Sequence, residues 1–178
     1  MDQDLRYPIG RFQRPAAVTA AERAAFIEAI AATPAALREA VRGLDDAQLD
    51  TPYRPDGWTV RQVVHHLADS HLNAYARLKL ALTEMEPTIK PYDEAKWAAL
   101  PDSRSPLVAE SLALLDALHA RWVFLLRAMT PADFGRTLVH PEHPGSPMTL
   151  DVLLAIYAWH GRHHVAHITA LRERIGWP

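Results

Sequence analysis

Four histidines fall within Trp159-His160-Gly161-Arg162-His163-His164-Val165-Ala166-His167, and three more within His65-His66-Leu67-Ala68-Asp69-Ser70-His71. His160 and His164 are four residues apart, a spacing that puts two side chains on one helix face, about 5–6 Å apart at Cβ. Two imidazoles so placed can share one metal ion at about 2.0–2.1 Å each. His167 continues the same stripe, whereas His163 is rotated away from it. A third ligand has to come from another helix, and His65 or His66 is the natural source. Three neutral imidazoles around an open position describe a catalytic, zinc-like centre. A structural centre wants four closed ligands, and the chain has no cysteine to complete one.

A buried, hydrogen-bonded role would explain one histidine of the His160/His164 pair, but metal binding explains both. The adjacent pairs His65-His66 and His163-His164 must each include a member that points elsewhere. Asp69, three residues after His66 and four after His65, could take a hydrogen bond from a ligand imidazole and fix its tautomer. It could equally pair with Arg61, Arg77 or a neighbouring helix. His119 is isolated and His140 and His143 lie in a loop, so they are assigned no part in the site. For Trp58 and Trp159, core packing is the plainer reading and a pocket wall the other.

Competing catalytic patterns are absent from the sequence. There is no His-Glu-x-x-His zinc motif, no phosphate-binding Gly-rich loop and no dinucleotide turn. No Gly-x-Ser-x-Gly elbow occurs, and helices two and four lack the Glu-x-x-His pairs of two-metal carboxylate bundles. Without cysteine there is no disulfide, thiol nucleophile or iron–sulfur ligand. Lys and Arg total 19 against 21 Asp and Glu, a formal charge of −2 with no basic block, which argues against nucleic acid as a partner. The N-terminal residues hold no apolar stretch long enough for a signal peptide. Leu112 to Met129 is broken by Asp116, His119, Arg121 and Arg127, so no membrane span is expected and a cytoplasmic location is.

The elements that must position these histidines read as helices. Thr19 with Glu22 and Thr59 with Gln62 are capping boxes, opening helices over about 20–42 and 59–84. Pro34 after Thr33 predicts a break in the first, and Gly43 its end. Pro87 stops the second, and a short helix is expected near Tyr92 to Leu100. Ser105-Pro106 starts a third long helix to about Met129, in which Leu112, Leu115, Leu118, Trp122, Leu125 and Met129 repeat with helical period. Arg136 to Met148 reads as a loop, Thr149 caps a fourth long helix to about Arg174, and Gly176 ends it. Four long amphipathic helices without convincing strands predict an all-α four-helix bundle with short accessory helices, one domain over residues 1–178.

The run from Gly57-Trp58-Thr59 to His71, together with Trp159 to Ile168, resembles the DinB-like superfamily, and within it the YfiT-type branch of metal-dependent hydrolases. Arg6-Tyr7-Pro8-Ile9-Gly10, Pro87-Thr88-Ile89-Lys90 and His140-Pro141-Glu142 resemble the same branch. The resemblance implies a four-helix bundle holding one divalent metal, zinc or nickel, on three histidines. The first ligand follows the helix-opening Trp by eight residues, which selects His66 over His65; the others match His160 and His164. Val165-Ala166-His167-Ile168 departs from the Arg-Gly-Gln-Ile common in the wider superfamily and leaves the role of His167 open. The implied protein is cytoplasmic, often a homodimer, and acts on a small molecule. Two chemistries follow from one open metal site: hydrolysis by activated water, or transfer to a low-molecular-weight thiol such as bacillithiol, held as thiolate. A non-catalytic metal- or ligand-binding bundle, with His167 closing the coordination, is the third reading.

Overall fold

The computed structural model describes residues 4–142 and 144–177. His143, one of the loop histidines set aside above, lies outside the described residues. The elements in chain order are α1 (Ala20–Val41), α2 (Asp46–Leu49), α3 (Val60–Thr83), α4 (Glu94–Ala98), a 3-10 turn (Asp102–Arg104), α5 (Val108–Ala128), α6 (Pro131–Phe134), β1 (Thr137–Leu138), β2 (Met148–Thr149) and α7 (Leu150–Ile175). The long helices α1, α3, α5 and α7 form a four-helix bundle. Thr19, Thr59 and Thr149 cap the starts of α1, α3 and α7 by accepting from backbone amides, and the first two complete their capping boxes. Gly176 ends α7 with a left-handed φ of 69°, a conformation that costs glycine little.

The main packing pairs are α1 with α7, α1 with α5, α3 with α5 and α3 with α7. Around the bundle the order is therefore α1, α5, α3, α7. The consecutive pairs α1/α3 and α5/α7 stand on diagonals, so residues 42–59 and 129–149 connect elements across the bundle. This order sets α3 and α7, the two histidine-rich helices, directly against each other.

The core comes in two parts. One apolar cluster includes Ile30, Leu78, Trp122, Leu126, Leu153 and Tyr157. The other includes Leu37, Val63, Leu67, Leu115, Ile168 and Leu171. His71 on α3, His119 on α5 and His160 and His164 on α7 fall between the two, all buried except the half-buried His160, and buried His66 stands beside Val64 and Leu67 of the second cluster. Among the described residues, no helix is long and apolar enough to cross a membrane.

Three expectations need correction. The chain over 20–42 is not broken: α1 runs unbroken to Val41 with Pro34 buried inside it. Proline lacks the N–H that would bond the Ile30 carbonyl one turn back, and that carbonyl instead lies 2.7 Å from His119 Nδ1. Thr33 does not cap a new helix; its hydroxyl donates to the Ala29 carbonyl at 2.9 Å. The stretch 136–148 is not all loop, because Thr137 and Leu138 pair antiparallel with Thr149 and Met148. Finally α5 starts at Val108, since the Ser105 hydroxyl donates to the Asp102 carbonyl and closes the preceding 3-10 turn.

Candidate metal centre

His66, His160 and His164 converge where α3 faces α7. One ring nitrogen from each lies within 4.8 Å of the other two, the arrangement a single ion requires. His66 Nε2 and His160 Nε2 are 3.4 Å apart. Two nitrogens bound to one tetrahedral zinc at about 2.05 Å would be about 3.3 Å apart, so the donor set fits such an ion. Burial also favours the neutral form that ligation needs. It pushes the His66 imidazolium down to about 4, helped by the positive charge His167 can carry. His160 and His164 are held well below the usual histidine range, first by burial and then by the neighbouring imidazoles.

Gly161 allows the approach that brings α7 to α1. A Cβ there would stand 2.5 Å from Thr33 Oγ1 and 2.9 Å from Thr33 Cγ2, closer than atoms pack. The helix tolerates its most flexible residue between two candidate ligands because nothing larger fits.

The other histidines sort by what they touch. His65 turns toward α5, with Nδ1 2.7 Å from Ser111 Oγ, and is not in the cluster. His167 is not in it either: its Nε2 is 3.1 Å from the Arg6 carbonyl and its Nδ1 3.3 Å from His164 Nδ1. His163 stacks on Trp159 with ring centroids 4.2 Å apart, and its buried Nδ1 has no hydrogen-bond partner among the described residues. The Asp69 carboxylate makes no hydrogen bond to a candidate ligand among the described residues. Burial, with Asp102 adding repulsion, lifts it to about 6. Arg61 is not its partner, because that guanidinium bonds Asp50 and Asp46 at 2.7 and 2.9 Å.

Two residues that the sequence left outside the site join it. His71 Nε2 is 3.1 Å from His160 Nδ1, and His71 Nδ1 is 2.8 Å from His119 Nε2. His119, isolated in sequence, is thus buried directly against His71, with that one ring between it and the cluster. No local signal distinguishes it, since its partners come from other helices.

A cavity of about 370 Å³ opens onto His164, walled by Tyr7, Arg54, Trp58, His163 and His167. Trp58 leans over His66 with centroids 4.6 Å apart, so it is a wall of the site and not only core. Tyr53 stacks on His167 at 3.9 Å. The N-terminal Arg6-Tyr7 segment completes the wall. A larger hollow of about 690 Å³ lies between α1 and α5 and touches none of the three clustered imidazoles.

The profile of the DinB superfamily matches residues 29–168. A Bacillus mycoides protein named "Putative metal-dependent hydrolase" is 55% identical over 175 residues, covering 98% of this chain and 99% of that one. A Bacillus cereus protein of the same name is 55% identical over 174 residues, covering 98% and 99%. Among solved structures, YfiT from Bacillus subtilis, described as a probable metal-dependent hydrolase with an unusual four-helix bundle topology, superposes with a TM-score of 0.95. It is 48% identical, with 99% of this chain and 100% of that one covered. The four-helix bundle protein TT2238 shares the fold at a TM-score of 0.58 and 22% identity, covering 83% of this chain and 98% of that one. The crossed order of helices, the three-histidine cluster between α3 and α7 and these matches over nearly the whole length agree: the chain belongs to the DinB superfamily.

Proposed function

We propose that His66, His160 and His164 hold one divalent ion, zinc or nickel, and that the protein is a hydrolase of a small molecule. The observation that carries this reading is the convergence of three imidazoles, His66 and His164 buried and His160 half-buried, with the His66 and His160 Nε2 atoms 3.4 Å apart, which matches the edge of a tetrahedral site. Three protein ligands leave room for a substrate or water, as catalytic sites require. When bound, such an ion supplies Lewis acidity that activates water and polarises a carbonyl or related group. The chain's own contribution is enclosure and orientation. Trp58 and Tyr7 limit solvent at the cavity, and Arg54 places positive charge at its wall. The names of the similar Bacillus proteins support the hydrolase reading.

Transfer to a low-molecular-weight thiol is the second reading. One observation favours it: the chain has no cysteine, so any thiol at the site has to arrive with a ligand. A cytoplasmic location and a homodimer belong to the same proposal.

The test is elemental analysis of untagged protein purified without added metal, beside His66→Ala, His164→Ala and His65→Ala. About one ion per chain is expected in the parent and in His65→Ala, and almost none in the other two. Full retention in both His66→Ala and His164→Ala would overturn the site. Ester and amide screens with and without added thiol then separate the two chemistries, because only the transferase needs the thiol.

A further inference from the structure

Two of the three clustered imidazoles are joined to main-chain carbonyls through other imidazoles. The first path begins at Ile30 on α1. A carbonyl oxygen only accepts, so His119 Nδ1, 2.7 Å away, carries the hydrogen and donates. A neutral imidazole has one N–H, so His119 Nε2 is then an acceptor. It lies 2.8 Å from His71 Nδ1, which must therefore donate. His71 Nε2 is left as an acceptor, 3.1 Å from His160 Nδ1, which donates in turn. The lone pair of His160 is thereby assigned to Nε2, the atom that faces His66 Nε2.

The second path begins at the Arg6 carbonyl. His167 Nε2 donates to it over 3.1 Å, leaving Nδ1 an acceptor. His164 Nδ1, 3.3 Å from that atom, donates, and the lone pair of His164 is on Nε2.

We propose that these two carbonyl-anchored relays fix the tautomers of His160 and His164, so that both present Nε2 to a shared ion. His71, His119 and His167 are positioning residues, and Pro34 is what leaves the Ile30 carbonyl free for the longer relay. The proposal rests on the metal-site reading, since fixing a lone pair matters only if something binds it. The longer relay touches α1, α5, α3 and α7 in their order around the bundle. This helix order sets each member of the relay on a helix packed against that of the next. An imidazole free to take either tautomer would have to be reorganised before ligation, and outer partners of ligand histidines commonly change metal affinity by about 10–100-fold.

The experiment is long-range ¹H–¹⁵N correlation of the imidazoles in metal-free protein at neutral pH, which reports the tautomer of each ring without needing metal or activity. The Nδ1–H tautomer is expected at His71, His119, His160 and His164, and Nε2–H at His167. An Nε2–H tautomer at His160 or His164 would overturn the relay, whatever the protein does with metal. A correct tautomer pattern in a protein that takes up no zinc would sink the metal reading while leaving the hydrogen-bond paths intact. Zinc titration of two variants adds a second readout. His119→Gln keeps both polarities, because its amide can donate to Ile30 and accept from His71. His119→Phe keeps neither. A 10-fold or greater loss of zinc affinity in His119→Phe is expected, with most of it recovered in His119→Gln. Unchanged affinity in a folded His119→Phe, or equal losses in both, would overturn the proposal. The wild-type spectrum decides the matter if the Phe variant does not fold.

Discussion

Replacing Gly161 by alanine asks whether α1 and α7 approach as closely as the structure places them. In isolation this change should help, since alanine is favoured over glycine in a helix interior by about 1 kcal/mol. The added Cβ, however, would lie 2.5 Å from Thr33 Oγ1, 2.9 Å from Cγ2 and 3.3 Å from Cβ. Thr33 cannot swing aside cheaply. It is β-branched, sits in a helix and donates its hydroxyl to Ala29 at 2.9 Å. Relief therefore requires the helices to part by a substantial fraction of an ångström. Overpacking of this kind costs about 1–3 kcal/mol, and taking about 2 leaves Gly161→Ala less stable by about 1 kcal/mol. Removing the obstacle should reverse the sign. In a Thr33→Ala background, Gly161→Ala should be neutral or stabilising by up to about 1 kcal/mol, a coupling of about 2 kcal/mol between the two sites. Urea denaturation of the four proteins in the cycle measures it. Additive effects, or a Gly161→Ala protein more stable than the parent, would refute the close approach.

Asp69→Asn should stabilise the protein at pH 8, by about 1 kcal/mol once solvent screening of this partly exposed carboxylate is allowed for. The native state raises its pKa from 3.8 to about 6 and so binds its proton more tightly than the unfolded chain does. The ionisation penalty is therefore absent below pH 4, grows between 4 and 6 and is complete above; thermal unfolding of parent and variant should coincide at pH 4, and a gap independent of pH would exclude this origin. Arg61→Lys should cost about 1–2 kcal/mol and loosen α2, because an ammonium cannot reproduce the fork that holds Asp50 and Asp46 at 2.7 and 2.9 Å from a side chain only 4% exposed. Urea denaturation and limited proteolysis near residues 46–50 would register this, and unchanged stability would mean that the buried guanidinium contributes only packing.

Much of the fold was legible because its signals are local. Capping boxes at Thr19 and Thr59 need residues three apart, Gly176 needs only its own backbone, and the His160/His164 pair needs one helical turn. The distinction between His66 and His65 was carried by the resemblance, through the spacing from Trp58. What escaped the sequence depends on distant parts of the chain. His71 and His119 are 48 residues apart, His119 and Ile30 are 89, and His167 and Arg6 are 161. Those partnerships exist only once the crossed order of helices is known. Pro34 misled for a related reason: the usual penalty for proline inside a helix is an orphaned carbonyl, and a donor from α5 removes it. The short β1–β2 ladder escaped because two-residue strands leave too brief a pattern to read.

The placement of the imidazoles between two apolar clusters bears on how the chain selects its topology. Apolar stripes alone would let a helix slide along its neighbour by one turn, about 5.4 Å, with little loss of burial. Here such a slip would carry His71, His119 or His160 into a dry cluster, leaving a donor or acceptor unpaired at about 1–3 kcal/mol for each group. The simpler arrangement, with consecutive helices side by side, would separate the same groups. The histidine layer therefore acts as an address shared by all four helices, met by one register and one order around the axis. A bundle with that layer rebuilt from leucine would gain dry contacts and lose the means of telling one arrangement from another.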